Sequence, residues 1–234
     1  MGMVDMKVVL FDIDGTLLRT DGAGRRALER ALQETFGVTG SPDYRYDGKT
    51  DRQIVREQMQ AMGVENARIA QHMDRLLEDY LQYLEAELRD RPDQAVLCAG
   101  VMPLLERLRS REDVTLGLLT GNVRAGARQK LRAVDVDFDQ FIVNAFGCDH
   151  EHRPELPGIA RKRAEDMLGR PVQGEQLVII GDTPADIHCG RSIGVRAIGV
   201  ATGHYSVEAL AEHVPAAVFA TLEDTDAVIQ AMLA

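Results

Sequence analysis

Residues Val8–Thr16 read VVLFDIDGT, and this stretch constrains the fold more tightly than any other. An apolar run without alternation fits a strand buried on both faces, as parallel strands covered by helices are. The run stops at two aspartates two positions apart, Asp12 and Asp14, followed at once by Gly15 and Thr16. In an open α/β sheet, ligands bind in the crevice beyond the carboxyl ends of the strands, where these two carboxylates would stand. On an extended chain, residues i and i+2 face the same side. Carboxylates held that way repel unless a cation or a proton lies between them. An Asp-Gly turn would account for Asp14 and Gly15. It leaves Asp12 without a reason, so a metal or acid/base site is expected here.

Further strands are expected at Val114–Thr120, Phe141–Phe146, Leu177–Gly181, Arg196–Val200 and Ala217–Ala220. Helical patterns at Val101–Arg111, Val123–Val134, Glu155–Leu168, Ala185–Ser192, Val207–Ala211 and Asp224–Leu233 separate or follow them. That alternation implies an α/β fold with a parallel sheet covered on both faces. One connection breaks the rhythm. The path from Asp14 to Val114 is far longer than the dozen or so residues a βαβ crossover needs. It holds helical patterns near Ala23–Phe36, Arg52–Met62 and Ala67–Leu88, the last with Met73, Leu76, Leu77, Tyr80, Leu81 and Leu84 on one face. A helical insertion is therefore expected over residues 20–96, with the core formed by 1–19 and 97–234. Its place directly after the carboxylate-bearing strand is that of a lid over the site.

The chain carries 37 acidic and 27 basic side chains, a net charge of −10, and no long basic run. Such a surface repels polyanions, so no nucleic-acid partner is expected. Apolar stretches fall short of the roughly 18 residues a membrane span needs, and the start has no signal-like pattern. No membrane partner and a cytoplasmic location are expected, with the chain acting as a monomer or homodimer. Cys98, Cys148 and Cys189 are widely spaced and read as small core residues, without a disulfide framework or a zinc site.

Three more segments hold chemistry. Val114–Thr120 runs into Thr120-Gly121-Asn122, where a hydroxyl and an open backbone amide suit a phosphate oxygen, although Asn122 also fits a helix N-cap. LVIIGDT at Leu177–Thr183 is a second strand ending in an aspartate, Asp182. Thr183, Pro184 and Asp186 fit an N-cap, a first helical position and a capping-box acid. Asp182 has no such structural reason, and beside Asp12 and Asp14 it would complete an oxygen-rich pocket for a hard cation such as Mg²⁺, with Asp186 in an outer orienting position. Arg153, before Pro154, supplies a fixed cation that can neutralise a phosphoryl group or the carboxylates. In the insertion, Tyr46–Gln53 reads as a loop feeding a helix whose cap pairs Thr50 with Gln53. It is expected to present Lys49, Thr50 and Arg52 towards the substrate.

The segments Asp12-Ile13-Asp14-Gly15-Thr16, Thr120-Gly121-Asn122, Arg153-Pro154 and Gly181-Asp182-Thr183-Pro184-Ala185-Asp186, in that order, resemble the haloacid dehalogenase superfamily. The branch is similar to phosphoglycolate phosphatases, with a helical cap inserted after the first strand. The resemblance implies a Rossmann-like core with an all-α cap and a Mg²⁺-dependent phosphatase acting on a small phosphorylated metabolite. In it, Asp12 forms an aspartyl-phosphate while Asp14 protonates the leaving oxygen and later activates water. Asp12, Asp182 and the Asp14 carbonyl hold the metal, and Gly15, Thr120, Gly121, Asn122 and Arg153 bind phosphate. The third motif usually offers lysine where this chain has Arg153. A sugar phosphomutase of the beta-phosphoglucomutase type also keeps both aspartates. A non-catalytic metal-binding module is the alternative of another class.

Overall fold

The computed structural model describes residues 6–234. Every residue of the first strand, β1 (Lys7–Phe11), is buried, which is why its sequence does not alternate. The small antiparallel strands β2 (Leu18–Arg19) and β3 (Val96–Leu97) are not part of its sheet. Parallel neighbours β4 (Val114–Thr120) and β6 (Leu177–Gly181) flank β1 directly. Beyond them lie β5 (Val143–Phe146) on one side and β7 (Arg196–Val200) and β8 (Ala217–Phe219) on the other. The order is β5-β4-β1-β6-β7-β8, all parallel. From β1 the chain winds to β4 and β5 and then returns to β6 on the opposite side, so the order reverses at β1, where an open α/β sheet leaves its ligand crevice.

The pleat of β1 sorts the two faces. Val9 and Phe11 join one apolar layer with α4 (Val101–Arg109), α5 (Arg124–Arg132) and α9 (Thr225–Leu233). Val8 and Leu10 join the other with α6 (Leu156–Leu168) and with Cys189 of α7 (Pro184–Cys189). A short helix, α8 (Val207–Ala211), packs on the outer strands through Leu210. The parallel sheet expected from the alternation, and the Rossmann-like core that the family resemblance implies, are both present.

Between β2 and β3 lie α1 (Ala23–Phe36), α2 (Asp51–Ala61) and α3 (Asn66–Asp90). These helices build an apolar cluster of their own, including Leu28, Leu32, Met59, Met73, Leu76 and Leu84, to which α5 adds little beyond Val123 at its start. Strands β2 and β3 form the neck of this insertion, and two-residue strands carry too little alternation to be seen in sequence. Cys98 and Cys189 are buried as expected, whereas Cys148 is exposed, because it follows β5 in a turn rather than in the sheet. Among the described residues no helix is long and apolar enough to cross a membrane.

Candidate active site

The chain leaves β1 through a tight turn in which Gly15 takes φ 81°, a left-handed value that a side chain disfavours. Space is a second demand on that position. A Cβ on Gly15 would collide with the Asp182 carboxylate, and so would one on Gly203, so two glycines form the walls around this group. Asp182 directly follows β6 and also accepts from Thr16 Oγ1 at 3.3 Å. Four residues on, Asp186 closes the capping box with Thr183, accepting from its N–H at 3.0 Å and its hydroxyl at 2.6 Å. Ligand atoms of Asp12, Asp182 and Asp186, all buried, lie within 4.8 Å of one another.

Three such carboxylates strain the site electrostatically. Burial and the neighbouring Asp186 and Asp12 push Asp182 up to about 9. Burial likewise raises Asp12 to about 6, with Arg153 opposing the rise. Arg153, only 3 % exposed, reaches Asp12 Oδ1 at 3.2 Å, bonds Asp186 Oδ1, and donates to Leu119 O at 3.3 Å. One guanidinium against three carboxylates leaves the cluster short of positive charge. Clustered oxygens, buried and walled by glycines, suit a hard divalent cation such as Mg²⁺. Both oxygens of Asp186 are already taken by Arg153 and Thr183, which fits the outer, orienting position better than direct ligation.

Asp14 does not share this environment. Its carboxylate turns to Lys130 of α5, whose Nζ donates to Oδ1 at 2.8 Å and Oδ2 at 2.7 Å. Asn122 Nδ2 also donates to Oδ2 at 2.7 Å, and to Thr120 Oγ1 at 2.8 Å. Asn122 is thus a side-chain bridge, while Val123 is the N-cap of α5.

A cavity of about 880 Å³ opens above both groups, lined from the core by Asp12, Asp14, Thr120, Arg153 and Asp182 and from the insertion by Tyr44, Tyr46 and Tyr80 among others. The loop singled out in the insertion meets the core closely. Asp51 N donates to Gly121 O at 2.9 Å, and Thr50 Oγ1 donates to Glu151 O at 2.6 Å while accepting from Gln53 N. Here the expected substrate contacts need correction. Thr50 is fully spent on this docking and on its cap. Arg52 does not line the cavity, since its guanidinium is drawn to Asp74 Oδ1 at 2.6 Å. Lys49 lines it, but its ammonium lies on Glu57 Oε2 at 2.6 Å and Tyr44 OH at 2.7 Å.

Sequence reasoning passed over Lys130, Asp51 and Arg19. Lys130 carries a visible signal, because it falls with Ala127 and Leu131 on the buried face of α5, where a lysine needs a partner. Asp51 is buried, accepts from Val123 N at 2.8 Å, and is raised to about 6 by burial, with Lys130 lowering it. Arg19 is exposed in the cavity wall, and its guanidinium has no hydrogen bond or ion pair among the described residues.

The profile of haloacid dehalogenase-like hydrolases matches residues 9–191. A validoxylamine A 7'-phosphate phosphatase from Streptomyces hygroscopicus subsp. limoneus is 31% identical over 208 residues, covering 88% of this chain and 90% of its own. A hydrolase from Pseudomonas syringae superposes with a TM-score of 0.69 at 21% identity, over 96% of this chain and 98% of the other. A beta-phosphoglucomutase from Clostridium difficile does so with 0.72 at 15% identity, over 97% of each chain. At those identities the two structures speak for the fold alone.

Proposed function

The chain belongs to the haloacid dehalogenase-like hydrolase family, and from that premise we propose that it is a Mg²⁺-dependent phosphatase of small phosphomonoesters. One observation carries the reading: two aspartates from a single strand end stand in two different environments. Asp12 lies in the buried acidic cluster beside Arg153, and Asp14 is held apart on Lys130 and Asn122. A site that only bound a cation would have no use for a second carboxylate so separately held.

In this mechanism a carboxylate oxygen of Asp12 forms a bond to phosphorus as the ester P–O bond breaks, and Asp14 gives its proton to the leaving oxygen. Asp14 then takes a proton from water as the water oxygen attacks phosphorus. Phosphate leaves and the Asp12 carboxylate is restored. Asp12, Asp182 and the Asp14 carbonyl would hold Mg²⁺, which when bound neutralises carboxylate and phosphoryl charge. Arg153 stays on Asp12 and opposes the charge of the transferring group, while Thr120 and the amides of Gly121 and Asn122 line the phosphate position; the Gly15 N–H, expected to join them, is instead spent on Leu18 O at 2.8 Å, and Gly15 serves the turn.

Residues 20–96 act as the cap that shields this chemistry from water. The cavity leaves room for a leaving group larger than glycolate. Among the described residues, Arg19 is the lining cation left free for an acidic one. Phosphoglycolate and sugar phosphates therefore head a panel assayed with Mg²⁺ and with chelator. Release of inorganic phosphate only with Mg²⁺ is expected. Isomerised sugar phosphate without free phosphate would replace this reading by a mutase, and no turnover on any ester would leave a binding module.

A further inference from the structure

Lys130 is a buried ammonium in the wrong place for a structural ion. Its side chain is 5% exposed and lines the inner wall of the cavity beside Gly24 of the insertion, where burying a charge carries a desolvation cost that an uncharged residue would not. Instead the fold makes room for a charged head. A Cβ on Gly24 at the start of α1 would stand 3.3 Å from Nζ, so the helix passes over the lysine with a glycine. Three contacts use the three N–H donors: both oxygens of Asp14, and Asn122 Oδ1 at 2.7 Å. The last bond also fixes which way the Asn122 amide faces. With its oxygen on Lys130, its NH₂ is directed to Asp14 Oδ2 and Thr120 Oγ1. A single cation thus sets the orientation of two side chains that border the phosphate position.

We propose that Lys130 is a positioning residue for the reaction, holding Asp14 and Asn122 in the arrangement from which Asp14 exchanges its proton. It acts through Asp14 and needs no contact with substrate. The proposal rests on the reading of Asp14 as acid and base. Groups that act as a unit lose activity non-additively, and this separates positioning from mere packing.

The test measures kcat and KM in Mg²⁺ for wild type, Asp14→Asn, Lys130→Met and the double variant, using an alkyl phosphate from the panel and p-nitrophenyl phosphate. Lys130→Met is expected to lower kcat for the alkyl ester by roughly tenfold or more with KM little changed. The loss should be smaller for p-nitrophenyl phosphate, whose leaving group needs no proton, and should vanish in the Asp14→Asn background. Lys130→Gln, one atom shorter and uncharged but still offering an amide NH₂, serves if Lys130→Met does not fold. Unchanged kcat, or a loss that simply adds to that of Asp14→Asn, would overturn the proposal. Failure of both Lys130 variants to melt cooperatively would make it a structural ion and overturn it too. Normal turnover by Asp14→Asn would instead sink the acid/base reading beneath it.

Discussion

Asp12 and Asp14 show how much one strand end fixes at the scale of the residue. Their place at the mouth of a site was legible because a buried apolar strand has no structural use for a terminal aspartate. What separates them was not, since it depends on Arg153 arriving from the segment after β5 and Lys130 from α5. Asp12→Asn should abolish phosphate release with the thermal transition intact, because the amide keeps the shape but is no nucleophile; substantial turnover in the folded variant would exclude the covalent route. Arg153 is a sharper case. Its Nη2 is shared by Asp12, Asp186 and Leu119 O in a fully buried setting. Arg153→Ala leaves two carboxylates buried without a counter-charge, a loss of about 3–5 kcal/mol in stability for pairs of this kind. A lysine in its place would restore the charge as a point rather than a fork. Arg153→Lys should therefore keep the fold and measurable turnover, and Arg153→Ala should melt several degrees lower and be inactive. Equal melting and activity for wild type and Arg153→Ala would show that the cluster does not need this cation.

Elements were more legible than the contacts between them. Short apolar runs between helical patterns located β4, β6 and β7, and the period of 3.6 located helices α1 and α8, residue for residue. They said nothing of the neck β2–β3, nor of the face that α2 turns to the core. The segment from Tyr46 to Gln53 looked like a cationic approach to the substrate, because Lys49 and Arg52 are basic. Their acids, Glu57 and Asp74, lie on α2 and α3 and become partners only once the helices pack. The start of α2 is instead a docking element, with Arg56 bidentate on Glu151 at 2.5 and 2.9 Å and Asp51 accepting from Val123 N. Asp51 gives this docking a pH signature. Its carboxyl titrates near 3.8 unfolded and at about 6 folded. Between those values the folded chain keeps a proton that the unfolded chain has released, so this residue's contribution to stability falls as pH rises from about 4 to 6. Asp51→Asn does not titrate. The stability of Asp51→Asn relative to wild type should thus rise between pH 4 and pH 7 by an amount on the order of 3 kcal/mol, read from urea unfolding of both proteins. A difference constant with pH would mean that Asp51 is not held as a buried acid.

At the scale of the whole molecule, two separate apolar clusters meet over a site that is overcharged without a cation. One cluster lines the sheet through Val9, Phe11 and Leu118, and the other lies within the insertion through Leu28, Met59 and Leu76. Between them the chain buries Asp12, Asp182 and Asp186, although its net charge is already −10. Such an arrangement stores instability that a bound divalent ion would relieve, and the relief should depend on pH. Asp182 titrates near 3.8 unfolded and at about 9 folded. Through that window the folded chain holds a proton the unfolded chain has lost, so metal-free stability falls as pH rises. Mg²⁺ binding must displace that proton, and the displacement becomes easier as pH increases. Saturating Mg²⁺ should therefore raise the Tm of wild type by about 5–10 °C, on the order of 2–3 kcal/mol for a chain of this size. The rise should be larger at pH 8.5 than at pH 6. Asp182→Asn removes the buried acid, so its metal-free form should melt above metal-free wild type at pH 8.5 and should ignore Mg²⁺ at either pH. Differential scanning calorimetry in chelator and in Mg²⁺, at matched ionic strength, checks all of this without any substrate. If the wild-type Tm does not move with Mg²⁺, or if Asp182→Asn responds as wild type does, the carboxylates of Asp12, Asp182 and Asp186 are balanced by Arg153 alone, and the metal must be sought elsewhere.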